Sequence, residues 1–325
     1  MLNDLIIIGA GPAGLSMAAE ARANGIAPDK LLVIEKGEAH SWSIRKFYPD
    51  AKLVEANYKG KPAVCNGVLC IADMSKDETL SYLDQAIEEH QIDVHYQESV
   101  SAITPQADGT FEIRANQNTY TCKVCVIAIG ILGRPNKPDY KVPPKVRKRV
   151  HYDVTSEQYE DQKMLVVGGG DSASEYAQYL LQCDNQVSLS YRRDSFDRMT
   201  RLNRESLEAL GERGQVQILR SSNIEAIEEQ EGRPHVRFAE EEHKDCNFDH
   251  IIYALGGSTP KNFLREVGIE FDGEHPAVTE GYQTSIAGLY LIGDLSPESG
   301  SIILAFNTAH EAMHDICKTH LGCSK

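Results

Sequence analysis

Twice in this chain a short, β-branched apolar run breaks into glycines and then into an alanine-rich stretch: "LIIIGAGPAG" at residues 5–14 and "LVVGGGDSAS" at residues 165–174. Each reads as a buried parallel strand, a tight turn and the opening of a helix. A strand, turn and helix of this kind form the core of a doubly wound nucleotide-binding unit. Two of them call for two α/β, Rossmann-like units. With 325 residues, 41% of them hydrophobic, the chain is long enough to build both cores.

The first loop has Gly9, Gly11 and Gly14 in GxGxxG spacing. The first glycine permits the turn, the second lets backbone approach a pyrophosphate, and the third lets helix pack on strand. Glu35 ends the following strand, "LLVIE", and supplies a carboxylate for a ribose hydroxyl. The second loop repeats the spacing with Gly168, Gly170 and Ala173, but its following strand, "QVSLSYRRDSF", ends in Tyr191, Arg192 and Arg193. A carboxylate there would repel a 2'-phosphate, whereas guanidinium groups bind one through charge-assisted hydrogen bonds. The second unit is therefore expected to take NADP rather than NAD. Arg198 and Arg201 read as a solvated basic loop.

Residues 130–150 hold four prolines and seven basic residues against one acidic one, which breaks regular structure and marks a crossing between domains. A second turn-rich stretch, "YALGGSTPKN" from Tyr253, marks the return. The second unit is then inserted in the first: residues 1–134 and 255–325 form one domain, and 135–254 the other. The tail after residue 288, a strand, a loop and a helix, is too short for a domain of its own and must complete the first. The net charge of -15 disfavours nucleic acid and anionic membranes as partners. The glycine-punctuated opening reads as fold rather than export signal, and no membrane span is expected. Eight cysteines in such a chain are expected to be buried or free thiols in a reducing cytoplasm, with disulfides disfavoured.

In order along the chain, "GAGPAG", "VCVIAIG", "GGGDSA", "YRRDSF" and "LYLIGD" resemble the motifs of the low-molecular-weight thioredoxin reductase-like flavoproteins. That resemblance implies three-layer ββα nucleotide-binding domains, with the NADP domain inserted in the FAD domain, a homodimer, and FAD and NADPH as cofactors. It places FAD at Gly9, Gly11, Pro12, Ala13, Gly14, Glu35, Lys36, Ala128, Gly130, Gly293 and Asp294, with the Asp294 carboxylate on the ribityl chain and Ile302 and Ile303 near the flavin pyrimidine. It places NADPH at Gly168, Gly170, Asp171, Ser172, Ala173, Arg192 and Arg193.

Thioredoxin reductases carry CxxC just before the second glycine loop, where this chain reads "RVHYDVTSEQYEDQKMLVVGGG" with no cysteine. Cys122 and Cys125 in "YTCKVCVIAIG" match CxxC but lie on a strand of the FAD domain. There, residues three apart are expected on opposite faces, and no helix N-terminus lowers a thiol pKa. Bacillithiol disulfide reductase-like flavoproteins carry cysteine after the proline of the first glycine loop, where this chain has Ala13. Cys65 and Cys70 in "AVCNGVLC" read as packing. "HEAMH" at residues 310–314 matches the zinc-protease HExxH, but the resemblance gives its helix to flavin packing and dimer contacts. A flavin monooxygenase would need Phe and Gly where Lys145 and Arg147 precede His151.

The stretches "IRKFYPDAKLVEANYKG", "GRPNKPDYKVP" and "IIYALGGSTP" resemble the dithiol-free branch, flavodoxin:quinone reductases and thioredoxin reductase-type ferredoxin/flavodoxin:NADP reductases. The implied activity passes electrons from NADPH through flavin to a flavodoxin or ferredoxin carrier or a quinone. Alternatives are a thioredoxin reductase-like disulfide reductase and a flavin- and NADP-binding redox sensor. Lys137, Lys141, Lys145, Arg147, Lys148 and Arg149 form a cationic cluster that would steer an acidic carrier to an otherwise acidic protein.

Overall fold

The computed structural model describes residues 2–50, 52–57, 64–116, 118–131, 135–257, 260–296 and 300–323. The pieces of the resembling stretches at 51, 58–60, 133–134 and 258–259, with the expected domain junction at 134, lie outside the described residues. The chain divides into two compact units, Met1–Arg45 with Leu53–Gly133 and Thr259–Lys325, and Lys46–Lys52 with Arg134–Ser258. The sequence reading did not anticipate that Lys46–Lys52 belongs to the second unit. Two ion pairs hold it there, Lys46 to Asp153 at 3.1 Å and Lys52 to Glu175.

In the first unit the opening strand Leu2–Ile8 lies between Leu31–Ile34 and Asn118–Ile127, parallel to both. Leu289–Leu291 pairs parallel with the end of Asn118–Ile127, so the tail completes this sheet. Ile6 and Ile8 face a core that includes Leu32, Ile34, Ile127, Leu289 and Leu291. Alternation turns Ile7 to the other face, where its Cγ2 reaches the backbone of Gly14 in the first helix, Pro12–Ala23. The C-terminal helix, Ile302–Ile316, packs on that first helix.

The second unit is a five-stranded, all-parallel sheet in the order Val216–Leu219, Gln186–Ser190, Lys163–Val167, His250–Tyr253, Val150–His151. Met164 and Val166 bury against Ala173, Tyr176, Ala177 and Leu180 of the helix Asp171–Gln182. Leu165 turns the other way, against Ile227, Val236 and Phe238 of an antiparallel three-stranded meander. Helices, parallel sheet and meander make three layers, each burying what its period exposes.

The cysteine expectation needs correction. Cys65 is bonded to Cys70 and Cys317 to Cys323, while Cys122, Cys125, Cys183 and Cys246 are free. Each bonded pair spans a short segment that doubles back, bringing Cα atoms to 5.4 and 4.9 Å, within disulfide reach. At the C-terminus the reversal is made by Gly322, left-handed at φ 57°, whose N–H donates to the Cys317 carbonyl.

Cys122 and Cys125 also depart from the expected opposite faces: both join one core. The strand changes partner between them, from Phe111 opposite Cys122 to Leu289 opposite Cys125, which interrupts simple alternation.

His151 and His250 lie on adjacent strands of the second sheet with Nε2 and Nδ1 3.0 Å apart, so one ring donates and the other accepts. Burial pushes both pKa values below 6.5. Below pH 6.5 the unfolded chain then takes up protons that the folded protein refuses, so stability falls as the pH falls. The thermal midpoint should therefore drop between pH 7 and 5.5. A double His151→Gln, His250→Gln variant should show a shallower drop, read by calorimetry across that range.

Candidate nucleotide sites

At the first glycine loop each position has a distinct steric role. A β-carbon at Gly9 would lie 2.6 Å from the Ala128 carbonyl oxygen, and one at Gly14 would lie 1.9 Å from the Gly9 carbonyl oxygen. Both would be backbone collisions, so strand, turn and helix meet only where side chains are missing. At Gly11, by contrast, an added β-carbon meets nothing within 4 Å. The middle position is an open cradle at the head of the helix, with Pro12 in its first turn, where an anion is favoured.

Glu35 is buried, 6% exposed, and its two carboxylate oxygens accept from the N–H groups of Ala10 at 2.8 Å and Gly37 at 2.7 Å. Its remaining lone pairs suit a ribose hydroxyl. Lys36 beside it is exposed, its ammonium 5.4 Å from the Trp42 ring centroid.

A late segment returns to the same loop. A β-carbon at Gly293, left-handed at φ +69°, would come 2.8 Å from the Ala13 side chain. Asp294 follows it, and burial pushes its carboxyl pKa up, with Gly300 N–H donating to Oδ1 at 3.0 Å. A desolvated carboxylate with spare acceptor capacity fits a polyhydroxyl chain. The Gly293 N–H donates to Thr308 Oγ1 of the C-terminal helix. That helix begins at Ile302 and Ile303, whose N–H groups head it, while Ser301 caps the Leu304 N–H at 3.1 Å. Ala128 and Gly130 follow the end of the neighbouring strand, and Gly130, at φ +61°, leaves open space. The donor set fits a flavin dinucleotide.

The second loop repeats the scheme. A β-carbon at Gly168 would lie 2.5 Å from the Ala254 carbonyl oxygen, and the one real β-carbon at the third position, on Ala173, is fully buried. Gly170 is the open cradle, with nothing within 4 Å of an added β-carbon. Ser172 is exposed in the first turn of the helix. Asp171 Oδ1 accepts the Thr200 N–H at 2.7 Å and the Asn203 amide at 3.0 Å, so part of its role is to fix the loop that follows. Arg192 and Arg193 are exposed, and neither makes an ion pair among the described residues. Two free guanidinium groups beyond an open glycine cradle fit a 2'-phosphorylated nucleotide.

Two features of this site escaped the sequence reading. Tyr191 is a lid for the loop: its ring stacks on Phe196 at 5.3 Å and lies 2.1 to 2.3 Å from where a β-carbon at Gly169 would be. The glycine between the two motif glycines was the available signal. Arg198, read as solvated, pairs through its backbone with Gly170. Arg201 pairs with Glu205 at 3.8 Å, as a solvated side chain would.

The decoy motifs find other surroundings. Burial and the neighbouring Cys122 push the Cys125 thiol well up, opposite to what a nucleophile needs. His310 Nδ1 pairs with Glu20 of the first helix at 3.2 Å and His314 is exposed. No group of three metal-ligating side chains occurs among the described residues. No helix there is long and apolar enough to cross a membrane.

The chain is similar to the ferredoxin–NADP reductase of Ignicoccus hospitalis, 27% identical over 321 residues, covering 94% of this chain and 93% of that protein. It is similar to ferredoxin–NADP reductase 1 of Christiangramia forsetii, 28% identical over 322 residues, covering 95% and 86%. Among solved structures, bacillithiol disulfide reductase of Staphylococcus aureus superposes with a TM-score of 0.83 at 21% identity, covering 98% of this chain and 99% of that one. Thioredoxin reductase of Lactococcus lactis does so with a TM-score of 0.79 at 20% identity, covering 97% and 98%. Both share the fold. The model of the family described as pyridine nucleotide-disulphide oxidoreductase matches residues 6–293, from the first strand to Gly293, and the chain belongs to that family.

Proposed function

We propose that this protein is an FAD-dependent NADPH oxidoreductase that passes electrons from NADPH through flavin to a ferredoxin-type carrier. The observation that carries the reading is the pair of open glycine cradles, at Gly11 and Gly170, with different chemistry beside each. Glu35 offers a buried carboxylate and Asp294 a half-buried one at the first, Arg192 and Arg193 offer exposed guanidinium groups near the second. Bound flavin supplies the conversion of a two-electron hydride into single-electron steps. The chain's own part is to bind: backbone N–H groups at both cradles take the pyrophosphates, Glu35 takes a ribose, Asp294 the ribityl hydroxyls, and the head of the helix at Ile302 and Ile303 the flavin pyrimidine. The similarity to proteins named ferredoxin–NADP reductase supports this acceptor class. Flavodoxin or a quinone would be served by the same chemistry, and we place the protein in the cytoplasm as a homodimer.

The basic segment supports a protein acceptor. Lys137, Lys141, Arg147 and Lys148 are exposed and make no ion pair among the described residues, while Lys145 pairs with Glu229 at 3.2 Å. Arg149 is half-buried and reaches the Asp249 carbonyl. On a chain of net charge -15 such a patch would steer an acidic carrier.

Two measurements test the proposal. Charge-assisted hydrogen bonds contribute about 1.5–3 kcal/mol each. Arg192→Ala and Arg193→Ala should therefore each lower the NADPH over NADH ratio of kcat/KM by roughly tenfold to a hundredfold, followed by stopped-flow bleaching of flavin. An unchanged ratio in both variants removes the assignment. Reversing Arg147 and Lys148 to glutamate should slow reduction of ferredoxin severalfold at low salt, with the difference fading as ions screen it. A small neutral quinone should be reduced at the original rate. If both acceptors slow together, the patch is no docking site.

A further inference from the structure

The loop at residues 191–195, which presents Arg192 and Arg193, is held from one side by a second turn. Past the edge strand Val216–Leu219 the chain reverses at Ser221, left-handed at φ 47°. Ser222 N–H donates to the Tyr191 carbonyl at 3.0 Å, and Ser221 N–H to the Arg193 carbonyl at 3.1 Å. A side chain makes the next bond: Arg220 Nη1 donates to the Asp194 carbonyl at 2.8 Å. All three acceptors are backbone, which leaves the side chains of Arg192 and Arg193 exposed.

The rest of the Arg220 guanidinium is equally committed. Nη2 donates to Glu208 Oε1 of the helix Arg201–Glu212 at 2.8 Å, and Cζ lies 4.6 Å from the centroid of the Phe196 ring. Phe196 stacks in turn on Tyr191, whose ring fills the space beside Gly169. Guanidinium, Phe196, Tyr191 and glycine loop thus form one column. The Arg220 carbonyl accepts from His243 Nε2 at 2.8 Å, which fixes the root of the side chain. A planar fork can cover a ring with its face while its edges hold a carbonyl and a carboxylate, and an ammonium cannot.

We propose that Arg220 is a positioning residue for cosubstrate choice: it fixes the backbone from which Arg192 and Arg193 reach the 2'-phosphate, without meeting the phosphate itself. This rests on the reading above that these two guanidinium groups bind that phosphate. Two long side chains on a loose loop would meet the phosphate in few of their arrangements. On a fixed backbone the search is confined to their own rotamers, so less freedom is lost on binding. The sheet and the bonds from Ser221 and Ser222 do not need the guanidinium. Its removal therefore frees the far end of the loop, at Asp194, rather than unfolding the unit.

The test reads binding rather than turnover. Holoenzyme is titrated calorimetrically with 2',5'-ADP and with 5'-AMP, which differ only in the 2'-phosphate. Arg220→Met, which keeps the stem and drops the fork, should weaken 2',5'-ADP by roughly fivefold to tenfold and leave 5'-AMP unchanged. In a background of Arg192→Ala and Arg193→Ala the same substitution should change neither, because nothing is left to aim. Arg220→Lys keeps the charge without the fork and should weaken 2',5'-ADP nearly as much; it decides alone if Arg220→Met does not fold. Unaltered 2',5'-ADP binding in either variant overturns the role. So does an equal loss of both probes, which would mark a general loosening of the unit. A loss that persists undiminished in the double background overturns it too, since Arg220 would then meet the phosphate itself. If that background alone binds both probes as the unaltered protein does, the assignment of Arg192 and Arg193 falls, and the role of Arg220 with it. Failure at Arg220 with an intact effect of the arginine pair leaves the NADPH reading standing.

Discussion

A missing carbon holds the first nucleotide site together. At Gly14 a β-carbon would sit 1.9 Å from the Gly9 carbonyl oxygen, and at Gly9 another would sit 2.6 Å from the Ala128 carbonyl oxygen. No rotamer relieves a backbone collision, so strand, turn and helix reach this spacing only with glycine at both positions. The same steric logic then links distant parts of the chain. Gly293 accepts the Ala13 methyl group because it has none of its own, and its N–H is spent on Thr308, nearly two turns inside the C-terminal helix. The head of that helix and the first glycine loop are thereby fixed against each other, which one motif alone could not do.

Much of this was legible in the sequence because the determinants are local. A glycine's role in a tight turn depends on neighbours a few positions away, and so does the placement of Glu35 or Arg192 at the end of the next strand. The three layers of the second unit came from the resemblance and from the unbroken apolar run at residues 164–167, which asks for cover on both faces; the structure gives it, with Met164 and Val166 to the helix and Leu165 to the meander. What stayed hidden depends on contacts between distant residues or on reversals of the chain. Nothing local to Cys65 shows that Asn307, Glu20 and Tyr82 will fold its loop back on itself. The return of Cys323 to Cys317 hangs on one left-handed glycine, Gly322. Strand alternation separated Cys122 from Cys125 on paper, and a change of strand partner reunited them. Asp171 sits where a motif residue should, yet its carboxylate is engaged by Thr200 and Asn203.

The two nucleotide loops also show how one backbone scheme is turned to different ligands. Both open with a glycine that avoids a facing carbonyl oxygen, of Ala128 in the first and Ala254 in the second, and both leave the middle glycine open. The steric part of recognition is thus shared, and it selects only for a pyrophosphate at a helix head. Identity is added by what stands at the end of the next strand. Glu35 is buried, with both oxygens already receiving backbone N–H groups, which suits a neutral hydroxyl donor and excludes a phosphate. Arg192 and Arg193 are exposed, which suits a doubly charged group that arrives with its own hydration. The difference in burial matters as much as the difference in charge. A buried carboxylate is held in one place by its donors, so it discriminates by geometry, while two solvated guanidinium groups discriminate by charge. On the function proposed above, geometry serves where a cofactor is to remain and charge where a cosubstrate is to come and go.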